Sequence, residues 1–106
     1  MKTIKELENL IKFGKKVLKK EGFPQQGEGI VQICLDGYEG SHGFWYEKRK
    51  LITLGMDSNK RMLLHEITHA ICGDPTKRGH GSEAFITTYE RLVKNNIEEK
   101  ELIESD

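Results

Sequence analysis

The stretch His65-Glu66-Ile67-Thr68-His69 places two histidines four residues apart with a glutamate directly after the first. On a helix, positions i and i+4 lie on one face about a turn apart, so both imidazoles can reach a single ion. Imidazole nitrogen is a preferred ligand of tetrahedral zinc, and a catalytic zinc takes three protein ligands and keeps the fourth position for water. Glu66 lies beside such an ion without having to bind it. From there it can take a proton from water that the metal has acidified toward a pKa of ~7, and later hand it to a leaving amine. The bland alternative is two core histidines beside an exposed glutamate. Against it stands the apolar company of these histidines, because imidazoles without a partner are costly to bury.

A third ligand must come from another part of the chain. His80, in Gly79-His80-Gly81, is the first candidate: its glycine-flanked loop can fold back over the helix. Glu83 is the rival, although a glutamate in the first turn of a helix is favoured by the helix dipole alone. Cys72 shares the face of His65 and His69, but three ligands from one helix rarely converge on one ion, and it reads as a packing residue. His42, in Ser41-His42-Gly43, reads as a surface turn residue, and Tyr89 is a candidate for polarising a scissile carbonyl.

These residues need elements to hold them. Residues 3–21 carry Ile4, Leu7, Ile11 and Leu18 at helical spacing with lysines between them, ended by Gly22 and Pro24, and Gly14 is a mild cost inside that helix. Three short strands follow at 30–35, 43–47 and 51–54, the last two joined as a hairpin through Lys48-Arg49-Lys50. Asp57 or Ser58 can cap a helix running to about Cys72, with Gly73 past its end. Met62, Leu63, Leu64, Ile67, Ala70 and Ile71 wrap most of its circumference, which makes it the buried central helix. A loop over 74–81 leads to a last helix from Ser82 to about Val93. The expected fold class is therefore α+β: an N-terminal helix, a small three-stranded sheet, the zinc-binding helix and a C-terminal helix.

At 106 residues the chain reads as a single domain over 1–106. Its 17 basic and 17 acidic residues balance, which argues against nucleic acid as the main partner. The balance is uneven: residues 1–20 are lysine-rich and residues 95–106 form an acidic tail. That tail reads as a solvated continuation of the last helix, or as a segment that folds back on the cleft or on the lysines of the first helix. No apolar run suits a signal peptide or a membrane span, and two cysteines make no disulfide framework. The expected location is a reducing, cytoplasmic one.

On His65, Glu66 and His69 the chain resembles the zincin metallopeptidases. Over roughly residues 58–90 it is most similar to the SprT-like group, in which a short loop leads from the zinc-binding helix to a His-Gly pair that opens the next helix, as Gly79-His80-Gly81-Ser82-Glu83 does here. That resemblance implies a zinc ion held by His65, His69 and His80, with Glu66 as general base acting on a protein or peptide substrate. The chain departs from the group in placing its next aromatic residue one position later, at Phe85, with Ala84 intervening. A second resemblance, to very small glutamate-type zincins, implies Glu83 or Glu90 as third ligand. In zincins an edge strand beside the active-site helix pairs with extended substrate, and strands 43–54 are the candidates for it. The competing functions are a metal-binding or partner-binding module without turnover, and a DNA-associated protease using the lysines of the first helix.

Overall fold

The computed structural model describes residues 3–35, 43–73 and 82–98. Their order is α1 (Ile4–Lys20), β1 (Gln32–Leu35), β2 (Phe44–Tyr46), β3 (Leu51–Leu54), α2 (Lys60–Cys72) and α3 (Glu83–Asn96). This is the α+β layout expected from the residue pattern.

Helix α1 begins with a reciprocal capping box. The Glu6 amide donates to Thr3 Oγ1 and the Thr3 amide donates to Glu6 Oε1, each at 3.1 Å. The expected span 3–21 is this helix together with its two caps, Thr3 and Glu21. Leu7, Leu10, Val17 and Leu18 line its buried face. Gly14 belongs to that face as well. A Cβ there would stand 2.6 Å from Ile33 Cδ1 and 2.7 Å from Leu63 Cδ2, so the bare backbone lets α1 sit against β1 and α2 at once. What reads in sequence as a local cost is a position where side chains of β1 and α2 both press on the backbone of α1. Gly14→Val is expected to lower stability by about 1–3 kcal/mol through overpacking, outweighing the helix propensity that valine restores. Thermal or urea unfolding checks this, and an unchanged midpoint would contradict it.

The sheet runs β1-β3-β2, with β1 parallel and β2 antiparallel to β3. Strand β3 is therefore interior, and of the hairpin 43–54 only β2 is an edge. The first two strands are shorter than the patterns 30–35 and 43–47 suggest. Glu47 leaves the second to serve the turn, where it accepts from Trp45 Nε1 at 2.8 Å and from Lys50 Nζ at 3.0 Å. The helices cover the face that carries Ile33, Trp45, Ile52 and Leu54, and these pack with Leu63, Leu64 and Ile67 of α2 and Leu92 of α3.

Helix α2 starts later than expected. Its N-cap is Asn59, whose Oδ1 accepts from the Met62 amide at 2.9 Å, and not Asp57 or Ser58. Those two are used in the preceding turn, in which the Ser58 amide donates to the Gly55 carbonyl, and the Ser58 side chain is buried. Helix α3 runs three residues beyond Val93, to Asn96. It is tied to α1 by a bidentate pair, Arg91 Nη1 and Nη2 on the two Glu21 oxygens at 3.0 and 2.7 Å, and by Lys20 Nζ on Asn96 Oδ1 at 2.7 Å. The arginine beside Glu21 holds its carboxyl below the usual range. Ile97, 5% exposed, joins the core. Residues 95–97 thus belong to the folded body, and the remainder of the acidic tail from residue 99 lies outside the described residues.

Among the described residues no helix is long and apolar enough to cross a membrane, and Cys34 and Cys72 are both free.

Candidate metal centre

Helix α2 packs on β2, β3, α1 and α3, which leaves it little freedom to move. Its Ser58–Asn59 entry and its Gly73 exit, at φ 75°, fix both ends. Ile67 and Leu63 anchor it in the core, and Thr68 turns its hydroxyl back on the Leu64 carbonyl at 2.7 Å. His65 and His69 are thereby held one turn apart and half-buried.

Their ring centroids are 5.0 Å apart and nearly perpendicular, at 77°. Two imidazoles sharing one tetrahedral ion at zinc–nitrogen distances of about 2.0–2.1 Å have centroids separated by about 5 Å, so the pair has the spacing such an ion requires. One ligand atom each from His65, Glu66 and His69 lies within 4.8 Å of the others, and this group could hold a metal ion. Glu66 supplies a second sign. It is 7% exposed, its Oε2 has no hydrogen-bond partner among the described residues, and burial pushes its carboxyl up to about 7. A carboxylate buried without a donor is unfavourable unless a cation approaches it. The donor set of two imidazoles and one carboxylate suits a first-row divalent ion.

The raised value has a measurable consequence for metal-stripped protein. The protonated carboxyl contributes its full stability below the ordinary value of 4.5, and that contribution is lost as pH rises through about 7. The loss across this window is expected to reach at most about 3 kcal/mol. Urea unfolding of chelated protein between about pH 5 and about pH 8 should show this slope in the wild type and its removal in Glu66→Gln. Parallel curves for the two proteins would exclude Glu66 as the source.

Helix α3 supplies the wall behind the histidines. Ser82 caps it, with Oγ accepting from the Phe85 amide at 3.2 Å, and Phe85 then reaches both imidazoles, at centroid distances of 5.2 Å to His65 and 4.8 Å to His69. Tyr89, one turn on, stands 6.1 Å from His65. The aromatic residue that arrives one place late in the sequence is the one buried against both rings. Cys72 Sγ donates to the Ala84 carbonyl at 3.9 Å, and among the described residues Cys72 is not part of the His65–Glu66–His69 group. Glu83 and Glu90 are exposed on α3 and are not part of that group either. His80 and His42 lie outside the described residues.

Sequence reasoning passed over Gly43. A Cβ on this residue would stand 3.1 Å from the Thr53 carbonyl oxygen and 3.3 Å from Glu66 Cγ, so β2 enters the sheet in close contact with the stem of the Glu66 side chain. The only signal for it in the sequence is a glycine at the head of an aromatic strand, which is consistent with close backbone approach and with much else.

No protein-family model, curated protein or solved structure matches the chain.

Proposed function

We propose that this chain is a zinc-dependent metallopeptidase in which His65, His69 and His80 hold the metal and Glu66 acts as general base. The observation that carries this reading is Glu66: its buried Oε2 has no hydrogen-bond partner among the described residues, and its carboxylate lies within 4.8 Å of two histidines set one helical turn apart. A purely structural zinc is normally closed by four protein ligands and has no use for a buried carboxylate beside it.

Zinc bound at these histidines supplies Lewis acidity that polarises a scissile carbonyl and acidifies water toward neutral pH. Glu66 takes the proton from the attacking water and delivers it to the amine nitrogen as the C–N bond breaks. Its apolar surroundings favour a carboxyl able to do both, since a pKa near the working pH suits acceptance and release alike. Phe85 keeps water from one side of the histidines, and Tyr89 is near enough to assist a developing oxyanion. Edge strand β2, which passes Glu66 at Gly43, offers its free backbone groups to an extended substrate.

Purified protein loaded with zinc is expected to cleave an unfolded protein such as β-casein. Chelation should stop the cleavage and added zinc restore it. A protein that binds zinc but leaves unfolded chains intact would return the reading to a metal-binding module without turnover.

A further inference from the structure

Among the described residues, two large aromatic side chains are left in water side by side. Phe44 is 57% exposed and Tyr46 41% exposed, and their rings touch at a centroid distance of 4.9 Å, tilted by 42°. The other exposed large apolar residues, Ile4, Leu35 and Ile86, stand on different elements. Single exposed apolar residues are ordinary, whereas a joined pair keeps a continuous apolar patch open to solvent.

The strand explains why the two rings meet. In β2 the side-chain period of two sends Trp45 into the core, where it is 9% exposed, and sends Phe44 and Tyr46 together to the opposite face. In register they stand over Thr53 and Leu51 of β3. Among the described residues β2 pairs with β3 alone, and its other side has no strand partner among them. Exposed aromatic rings beside an open edge are a hazard for self-association, which proteins commonly reduce with charge. Here the charged residues Lys48 and Arg49 come only after the strand, and the strand itself keeps its rings.

The position of the pair along the strand is what gives it meaning. Gly43, immediately before Phe44, lies against the stem of Glu66. A peptide extended along the β2 edge therefore passes Gly43, beside the stem of Glu66, and then Phe44 and Tyr46. Such a peptide shares the period of two, so every second side chain of it falls on the same face as the two rings. Backbone pairing at an edge accepts any sequence, and selection must come from what lies beside the backbone.

We propose that Phe44 and Tyr46 are specificity-determining residues that select extended peptide segments carrying aromatic side chains at alternate positions, within about three residues of the bond opposite Glu66. This rests on the metallopeptidase reading for the direction of the peptide, but its test does not depend on hydrolysis. Ring-on-ring contacts between neighbouring strands add favourable energy beyond simple burial, and two of them together amount to about tenfold in affinity.

The experiment uses zinc-loaded protein carrying Glu66→Gln and two fluorescein-labelled peptides, Gly-Ser-Phe-Ser-Phe-Ser-Gly and the same peptide with alanine at both phenylalanines. Anisotropy titration is expected to show the phenylalanine peptide binding about tenfold more tightly. Adding Phe44→Ser or Tyr46→Ser should reduce that advantage, and the double replacement should remove it while leaving the alanine peptide unchanged. Equal affinity of the two peptides, binding of neither, or a preference that survives the double replacement would each overturn the proposal. Failure of the metallopeptidase reading looks different: β-casein stays intact while the tenfold preference persists. Cleavage of β-casein without any peptide preference would leave the peptidase standing and remove the aromatic platform.

Discussion

Exchanging Glu66 for glutamine is expected to lower the rate of peptide hydrolysis by about two to four orders of magnitude while zinc content and fold are retained. Glutamine has nearly the volume of glutamate, so the packing of Glu66 Cγ under Gly43 should survive. What is lost is the ability to accept a proton, and no other described carboxylate belongs to the His65–Glu66–His69 group to take its place. The same replacement removes a buried ionisable group from the core. Metal-free Glu66→Gln should therefore be at least as stable as metal-free wild type at neutral pH, where the wild-type carboxyl is being forced to ionise. A mutant that is inactive because it is unfolded would be recognised by its melting curve. Retained hydrolysis with normal zinc content would mean that Glu66 has another role. Lost zinc would make Glu66 a ligand.

The difference between what was legible and what was not follows the range of the interactions involved. The helices read well because their signals are local: Leu7 and Leu18 of the expected stripe are buried in α1, where Leu10 and Val17 complete the face and Ile4 is left exposed, and the expected serine caps α3. The His65–His69 pair read well for the same reason, since four residues on a helix fix a distance. Errors of local competition moved the start of α2, where Asp57, Ser58 and Asn59 are all acceptable caps and a preceding turn uses the first two. What could not be read were contacts between elements distant in sequence. Gly14 meeting Ile33 and Leu63, Gly43 meeting Glu66, and Phe85 meeting both imidazoles depend on the packing of α1, β2 and α3 around α2. The sheet order is of this kind too, because nothing local to Leu51–Leu54 tells that it runs between the other two strands. The acidic tail is an intermediate case: Ile97 has the apolar character to be buried, and a truncation meant to remove only the tail must leave it in place.

Replacing either helix histidine is expected to have the largest effect on metal binding. His65→Ala or His69→Ala leaves one imidazole on α2, and zinc affinity should fall by more than about 100-fold, since even residues that only support a ligand contribute 10–100-fold. Wild type should hold one zinc per chain. An ion that binds only the native arrangement raises stability, so zinc at about 100 times its dissociation constant should add about 2.7 kcal/mol. For a domain of this size that corresponds to a melting temperature about 10–20 °C higher, and chelation should remove this reversibly. His65→Ala should melt at the chelated wild-type temperature whether or not zinc is added. The same titration decides the third ligand. If His80 serves, His80→Ala should lose both the zinc and the thermal shift while Glu83→Ala keeps them. The reverse result would give the role to Glu83, which lies exposed at the start of α3. Wild type that holds no zinc, with an unchanged melting temperature after chelation, would remove the metal site itself. Glu66, whose buried Oε2 has no partner among the described residues, would then have to be explained as a buried acid that is only partly ionised at neutral pH.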